Sequence, residues 1–148
     1  MKKLIKRREI PAGNPVSDNA LLDRLYRSRH IKNSQELDRT LQSMLNPNQL
    51  HGIQQAVDLL VNAYQQQQKI VIVGDFDADG ATSTALSVLA LRMLGFTDVE
   101  YLVPNRFEQG YGLSVPVAEM AMEKGVQLLI TVDNGVSSFE GVAYLKEQ

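Results

Sequence analysis

Lys69–Ser83, KIVIVGDFDADGATS, sets four β-branched residues in a row, Ile70 to Val73, just ahead of three aspartates at alternate positions, Asp75, Asp77 and Asp79. An unbroken run of this kind suits a strand buried on both faces of a parallel sheet. If the strand's period of two persisted, the three carboxylates would point to one side, and even in a turn they would lie within a few ångströms of one another. Anions that close repel unless something positive sits among them. A hard divalent cation fits, magnesium, manganese or calcium, because carboxylate oxygens suit such ions whereas zinc draws more on His and Cys. Helix capping, by Asp79 on a helix starting near Gly80, explains only one of the three acids. Asp75-x-Asp77-x-Asp79-Gly80 copies the first half of an EF-hand loop, but Leu86 stands where the bidentate Glu is needed, and a strand precedes where a helix should. Gly74 and Gly80 lack the Lys-Ser/Thr pair of a phosphate loop.

Downstream, Ala81 to Leu94 reads as a buried helix whose small Ala81, Thr82, Ser83 and Ala85 permit close approach to the sheet, and Gly95 closes it. Val99 to Val103 supplies a second strand. The loop PNRFEQGYGLS, Pro104–Ser114, follows. Its Arg106 carries a fork of donors suited to phosphate, and Gly110 and Gly112 around Tyr111 let backbone approach a ligand. A long turn with an exposed arginine is the plainer reading of the loop. Ser114 caps a helix to Lys124, and Val126 to Val132 forms a third strand ending at Asp133. Asp133-Asn134-Gly135-Val136-Ser137-Ser138 then repeats the first design of strand, acid, glycine, hydroxyls and helix. Parallel strands turn their carboxyl ends to one crevice, so Asp133 can meet Asp77 and Asp79 there. The alternation predicts an α/β fold, a mostly parallel sheet with helices on both faces and crossovers of one hand.

Upstream, residues 1–16 read as an irregular leader. Ser17 or Asp18 caps a helix with Leu21, Leu22, Leu25 and Tyr26 on one face. A second helix is expected from Asn33, with Glu36 completing a capping box, to the stop at Pro47, presenting Leu37, Leu41, Met44 and Leu45. A third runs from about Gln49 to Gln67. This divides the chain into a leader and helical segment, 1–66, and the α/β part, 67–148. His30 and His51 have no metal-type neighbour at helical spacing and read as surface or cap residues. With 148 residues, 44% hydrophobic and 22% charged, one core is expected. The absence of Cys excludes disulfides, thiolate metal sites and a cysteine nucleophile. No apolar stretch is long enough to span a membrane, and the basic start MKKLIKRREI lacks the apolar core of a signal peptide, so the cytoplasm is the default location. Residues 1–50 carry a net +5 and residues 51–148 a net −7. The basic end suits a polyanion or is simply a solvated tail, and no aromatic interleaving strengthens the first reading.

Three stretches together, VGDFDADGATS, VPNRFEQGYGLS and TVDNGVSS, resemble the first three motifs of the DHH phosphoesterase superfamily, and in wording its bacterial RecJ branch of single-strand-specific 5′ to 3′ exonucleases. LLDRLYRSRHIKNSQEL is similar to the N-terminal region of that branch. The resemblance implies phosphodiester hydrolysis of single-stranded DNA in repair and recombination. It implies Asp77, Asp79 and Asp133 as ligands of a manganese or magnesium pair, with Asp75 behind them. Asn105, Arg106, Gly110, Tyr111 and Gly112 would hold substrate, and single-strand-binding protein and a helicase would be partners. The pyrophosphatase branch carries His where Val73 stands, which points away from it. The Asp-His-His motif that names the family is absent, so the sequence reads as the front part of a longer enzyme, inactive and marginally stable by itself. Phosphodiesterase action on short oligonucleotides or cyclic dinucleotides, and a non-catalytic truncated product, are the alternatives.

Overall fold

The computed structural model describes Lys6 and residues 8–148. Most of the basic start, Met1–Ile5 and Arg7, therefore lies outside the described residues. The chain forms two compact units, Met1–His51 and Gly52–Gln148.

Among the described residues the first unit contains one α-helix, α1 (Ala20–Arg27), capped by neither Ser17 nor Asp18 but by Asn19, whose side chain accepts from the Leu21 and Leu22 amides. The second expected helix is absent. In its place come three single turns of 3₁₀ helix, Ser34–Leu37, Leu41–Ser43 and Pro47–Gln49. Side chains take the backbone groups a helix would need. Asp38 Oδ1 accepts from the Thr40 amide at 2.9 Å, and the Ser43 hydroxyl donates to the carbonyls of Asp38 and Thr40. Such local bonds compete with helical ones. The expected capping box forms only in altered form, around one turn: the Glu36 amide donates to the Asn33 side chain, while the Glu36 carboxylate accepts from the Lys32 amide, one residue ahead of the cap, and from the Asn33 side chain.

The second unit is a three-stranded parallel sheet with helices on both faces. Its elements are α2 (Ile53–Gln65), β1 (Ile70–Val73), α3 (Ala78–Met93), β2 (Val99–Leu102), α4 (Val115–Glu123), β3 (Leu128–Thr131) and α5 (Phe139–Glu147). The strand order is β2-β1-β3. All four residues of β1 are fully buried, as their β-branched run foretold. Ile70 and Ile72 pack with Ala63 of α2 and with Val88 and Leu91 of α3. Val71 and Val73 pack on the other face with Val117, Ala118 and Ala121 of α4 and with Tyr144 and Leu145 of α5. Each fully buried Ile or Val of β1 contributes roughly 1.5–3 kcal/mol. Because α3 and α4 cover opposite faces while the chain moves from β1 outward to β2 and back across to β3, the two crossovers share one hand. The sheet thus reverses its winding at β1, and the carboxyl ends of β1 and β3 flank the crevice where such folds place their ligands.

The α3 helix is buried on one face only. Gly80, Thr84, Val88 and Leu91 face the sheet, whereas Leu86, Leu89 and Met93, and also Ala81, Thr82 and Ala85, are exposed. Close approach comes instead from Gly74 and Gly80. A Cβ on Gly80 would stand 2.4 Å from the Asp75 carbonyl oxygen, and one on Gly74 would fall 2.0 Å from Thr84 Oγ1. Among the described residues no helix is long and apolar enough to cross a membrane.

Candidate metal centre

The three motifs of the second unit converge on the carboxyl ends of β1 and β3. Carboxylate oxygens of Asp75, Asp77 and Asp133 all lie within 4.8 Å of one another. Asp75 stands two residues past the buried strand and is only 3% exposed. Its Oδ1 accepts from the Phe76 amide at 2.7 Å. Asp77 is the N-cap of α3 and accepts from the Gly80 amide at 3.0 Å, so the capping role expected of Asp79 falls two residues earlier. Asp79 lies outside the group of three, in the first turn of α3, yet near enough for its charge to act on Asp133.

Asp133 follows β3 in a left-handed conformation, φ 62°. Outside glycine this region is rare and tolerated best by Asp and Asn, and it is found where surrounding structure over-determines it. Partial desolvation in the crevice, then the charges of Asp77, Asp79 and Asp75, raise its carboxyl above the usual carboxylate range. Among the described residues no Lys or Arg forms an ion pair with any of these aspartates. Crowded carboxylates without a basic partner, and without His or Cys in the group, form an all-oxygen donor set that suits magnesium or manganese.

The Pro104–Ser114 loop reaches the same place. The Arg106 guanidinium stacks over the Phe76 ring, 4.3 Å from its centre, which carries a cation to the turn between Asp75 and Asp77. The Tyr111 hydroxyl donates to the Asp133 carbonyl at 3.1 Å. Partial desolvation of the hydroxyl and then the nearby charges of Asp75 and Asp133 raise its pKa, which keeps that donor protonated. Asn105 does not point a side chain at the acids; it shapes the loop, accepting from the Phe107 amide while its own amide donates to Gln109. Gly110 and Gly112 adopt φ 81° and 67°, which the bends on either side of Tyr111 require. Tyr111, Asp133, Asn134, Gly135, Val136 and Ser137 line an open cleft of about 410 Å³. Sequence reasoning passed over Phe76 and Asn134. Asn134 stands beside an acid in a strand-end turn, the one signal that could have singled it out.

A family profile described as DHH family, N-terminal domain, matches residues 69–148. The single-stranded-DNA-specific exonuclease RecJ of Haemophilus influenzae is 84% identical over 148 residues, all of this chain and 26% of that protein. The protein of the same name from Escherichia coli is 52% identical over 144 residues, 96% of this chain and 25% of that protein. The chain therefore spans about a quarter of the length of these curated relatives. A crystal structure of exonuclease RecJ bound to manganese superposes with a TM-score of 0.62 at 36% identity, covering 71% of this chain and 27% of the other. The crystal structure of RecJ from Thermus thermophilus in complex with Mn2+ gives 0.57 at 32% identity, over 83% and 16%.

Proposed function

Because this chain belongs to the DHH family, we propose that its second unit is the first part of a metal-dependent, RecJ-type exonuclease that removes nucleotides from the 5′ end of single-stranded DNA. The observation that carries the reading is the trio Asp75, Asp77 and Asp133, brought within 4.8 Å with no basic partner among the described residues. The Haemophilus and Thermus proteins named above give the substrate class and the manganese.

In this reading Asp77, Asp79 and Asp133 hold a manganese or magnesium pair, with Asp75 beside them. The bound pair would activate water, polarise the phosphoryl oxygens and stabilise the leaving oxygen, which is why no protein nucleophile is needed. Backbone amides fix the orientation of Asp75 and Asp77 before any ligand arrives, so little reorganisation remains to be made. Arg106, held over Phe76, would take a substrate phosphate by its fork of donors, and Tyr111 lines the cleft that would receive the strand. Cytoplasmic location, single-strand-binding protein and a helicase as partners, and a role in repair and recombination belong to the same proposal.

The test is a chimera in which these 148 residues replace the matching segment of the Haemophilus influenzae exonuclease. Manganese-dependent release of nucleotides from the 5′ end of single-stranded DNA, abolished by Asp77→Ala, is the expected result. No release, or preference for cyclic dinucleotides, would sink the reading. Asp75→Asn and Asp79→Asn, assayed separately, show which flanking acid is indispensable. The 148 residues assayed by themselves are expected to release nothing.

A further inference from the structure

We propose that Asn134 is a positioning residue that ties the two halves of the metal centre together, with the Tyr111 hydroxyl as its second fastening; this rests on the metal reading above. The acids come from two strands: Asp75 and Asp77 follow β1, and Asp133 follows β3. Backbone pairing runs out just before them. The Val132 amide donates to the Val73 carbonyl at 3.0 Å, and beyond that pair the two chains part toward α3 and α5.

The Asn134 side chain takes over there. Its Nδ2 donates to the Val73 carbonyl at 3.1 Å, across 61 residues of sequence, and to the Val132 carbonyl at 2.8 Å. Both partners are carbonyl oxygens, so the amide nitrogen must face them and the orientation of the side chain is fixed by chemistry. The Val73 carbonyl thereby accepts twice and anchors the strand end two residues ahead of Asp75. Asn134 Oδ1 is buried without a partner, so the side chain meets the cost of an unsatisfied acceptor to keep its donor in place. Gly112 lies against it, where a Cβ would stand 3.3 Å from that of Asn134. From the same loop the Tyr111 hydroxyl grips the Asp133 carbonyl, and Asp133 is the residue in left-handed conformation. Asn134 fixes the spacing of the halves, and Tyr111 fixes the peptide that aims Asp133. Partners behind metal ligands commonly carry a ten- to hundred-fold share of metal affinity when removed.

The experiment measures manganese binding by electron paramagnetic resonance, and the thermal midpoint of the metal-free protein, in the chimeric exonuclease. Asn134→Leu keeps the size and removes the donor; Val71→Ala, at a buried core position of β1 itself, is the comparison for simple loosening. The expected result is a loss of about ten-fold or more in manganese affinity for Asn134→Leu, with parent affinity in Val71→Ala even where its midpoint falls as far. Parent affinity in Asn134→Leu, or an equal loss in Val71→Ala, would overturn the inference. Should Asn134→Leu fail to fold, Tyr111→Phe decides: weakened binding at an unchanged midpoint supports the fastening, and unchanged binding overturns it. A parent protein that binds no manganese would instead bring down the metal reading itself.

Discussion

The turns after β1 and β3 share a recipe of strand, acid, glycine and hydroxyls, yet they are built to opposite standards of tightness. After β1, helix α3 begins at once: Asp77 caps it, Gly80 seats on the Asp75 carbonyl, and Asp75 is nearly buried. After β3, the chain runs from Asp133 to Ser138 before α5 begins, and that helix has no side-chain cap. Val136 is 96% exposed and Phe139 78%. One half of the centre is thus held by packing and the other by a few hydrogen bonds. Carboxylates held from one side by a rigid turn need only be met from the other, so the second turn can be looser provided its aim is fixed.

Glycine substitutions break this comparison most forcefully. Gly80→Ala gains about 1 kcal/mol of helix propensity, but its Cβ meets backbone that cannot turn aside. A net loss of about 3 kcal/mol or more is expected in urea unfolding. At Gly135, φ is 110° and an added Cβ meets the Thr131 side chain, which can rotate. Gly135→Ala should cost only about 1–2 kcal/mol. Equal losses at the two sites would erase the distinction between a packed and a tethered turn.

Acid substitutions sharpen it, because their effects on the metal-free chain should differ in sign. Asp77→Ala removes the α3 cap and is expected to destabilise by about 1 kcal/mol. Asp133→Asn removes a carboxylate that partial desolvation and Asp77, Asp79 and Asp75 disfavour in its charged form, and Asn tolerates the left-handed backbone well. The urea midpoint at neutral pH with chelator present should therefore rise for Asp133→Asn and fall for Asp77→Ala, while both lose manganese binding. A lower midpoint in Asp133→Asn would show that the repulsion is not what limits this half. Chelation of the parent should likewise leave the fold intact and remove only the tightening that metal provides.

The packed half was the more legible in the sequence. A strand covered on both faces leaves a run of apolar residues that survives without spatial knowledge, and Ile70–Val73 announced β1 and the acids at its end. The side-by-side placement of Asp133 followed from strand polarity alone. Asn134 was not legible, because its role depends on the carbonyl of Val73, which only the β1–β3 pairing brings near. Nor was the loss of the expected helix over 33–47. Its Leu41, Met44 and Leu45 keep a helical spacing, but Asp38, Thr40 and Ser43 spend the backbone donors and acceptors locally, and the three apolar side chains are exposed. Asp79 suits a cap only if the helix begins at Gly80; it begins at Ala78, which makes Asp77 the first residue outside it.

The smallest expected effect contrasts Asp133 with a carboxylate that the fold favours. Glu100 of β2 lies between Lys124 and Lys69, at 2.8 and 2.5 Å, and those two ammonium groups lower its pKa from 4.5 to about 2. A depressed carboxylate adds stability above its unfolded value, and the benefit is lost as the pH falls through the folded one. Here the window runs from about 4.5 down to about 2. Asp133, shifted upward, works with the opposite sign: its protonation on acidification relieves the crevice. In acid unfolding of the metal-free chain, Glu100→Gln should lower the plateau at neutral pH and flatten the decline below pH 4.5, by a small margin because Glu100 is 39% exposed and screened by solvent. Asp133→Asn should raise the plateau and leave that decline in place. If Glu100→Gln instead left both plateau and slope unchanged, the lysine pair would contribute nothing in solution, and the repulsion among the acids would be the remaining electrostatic bias in this unit.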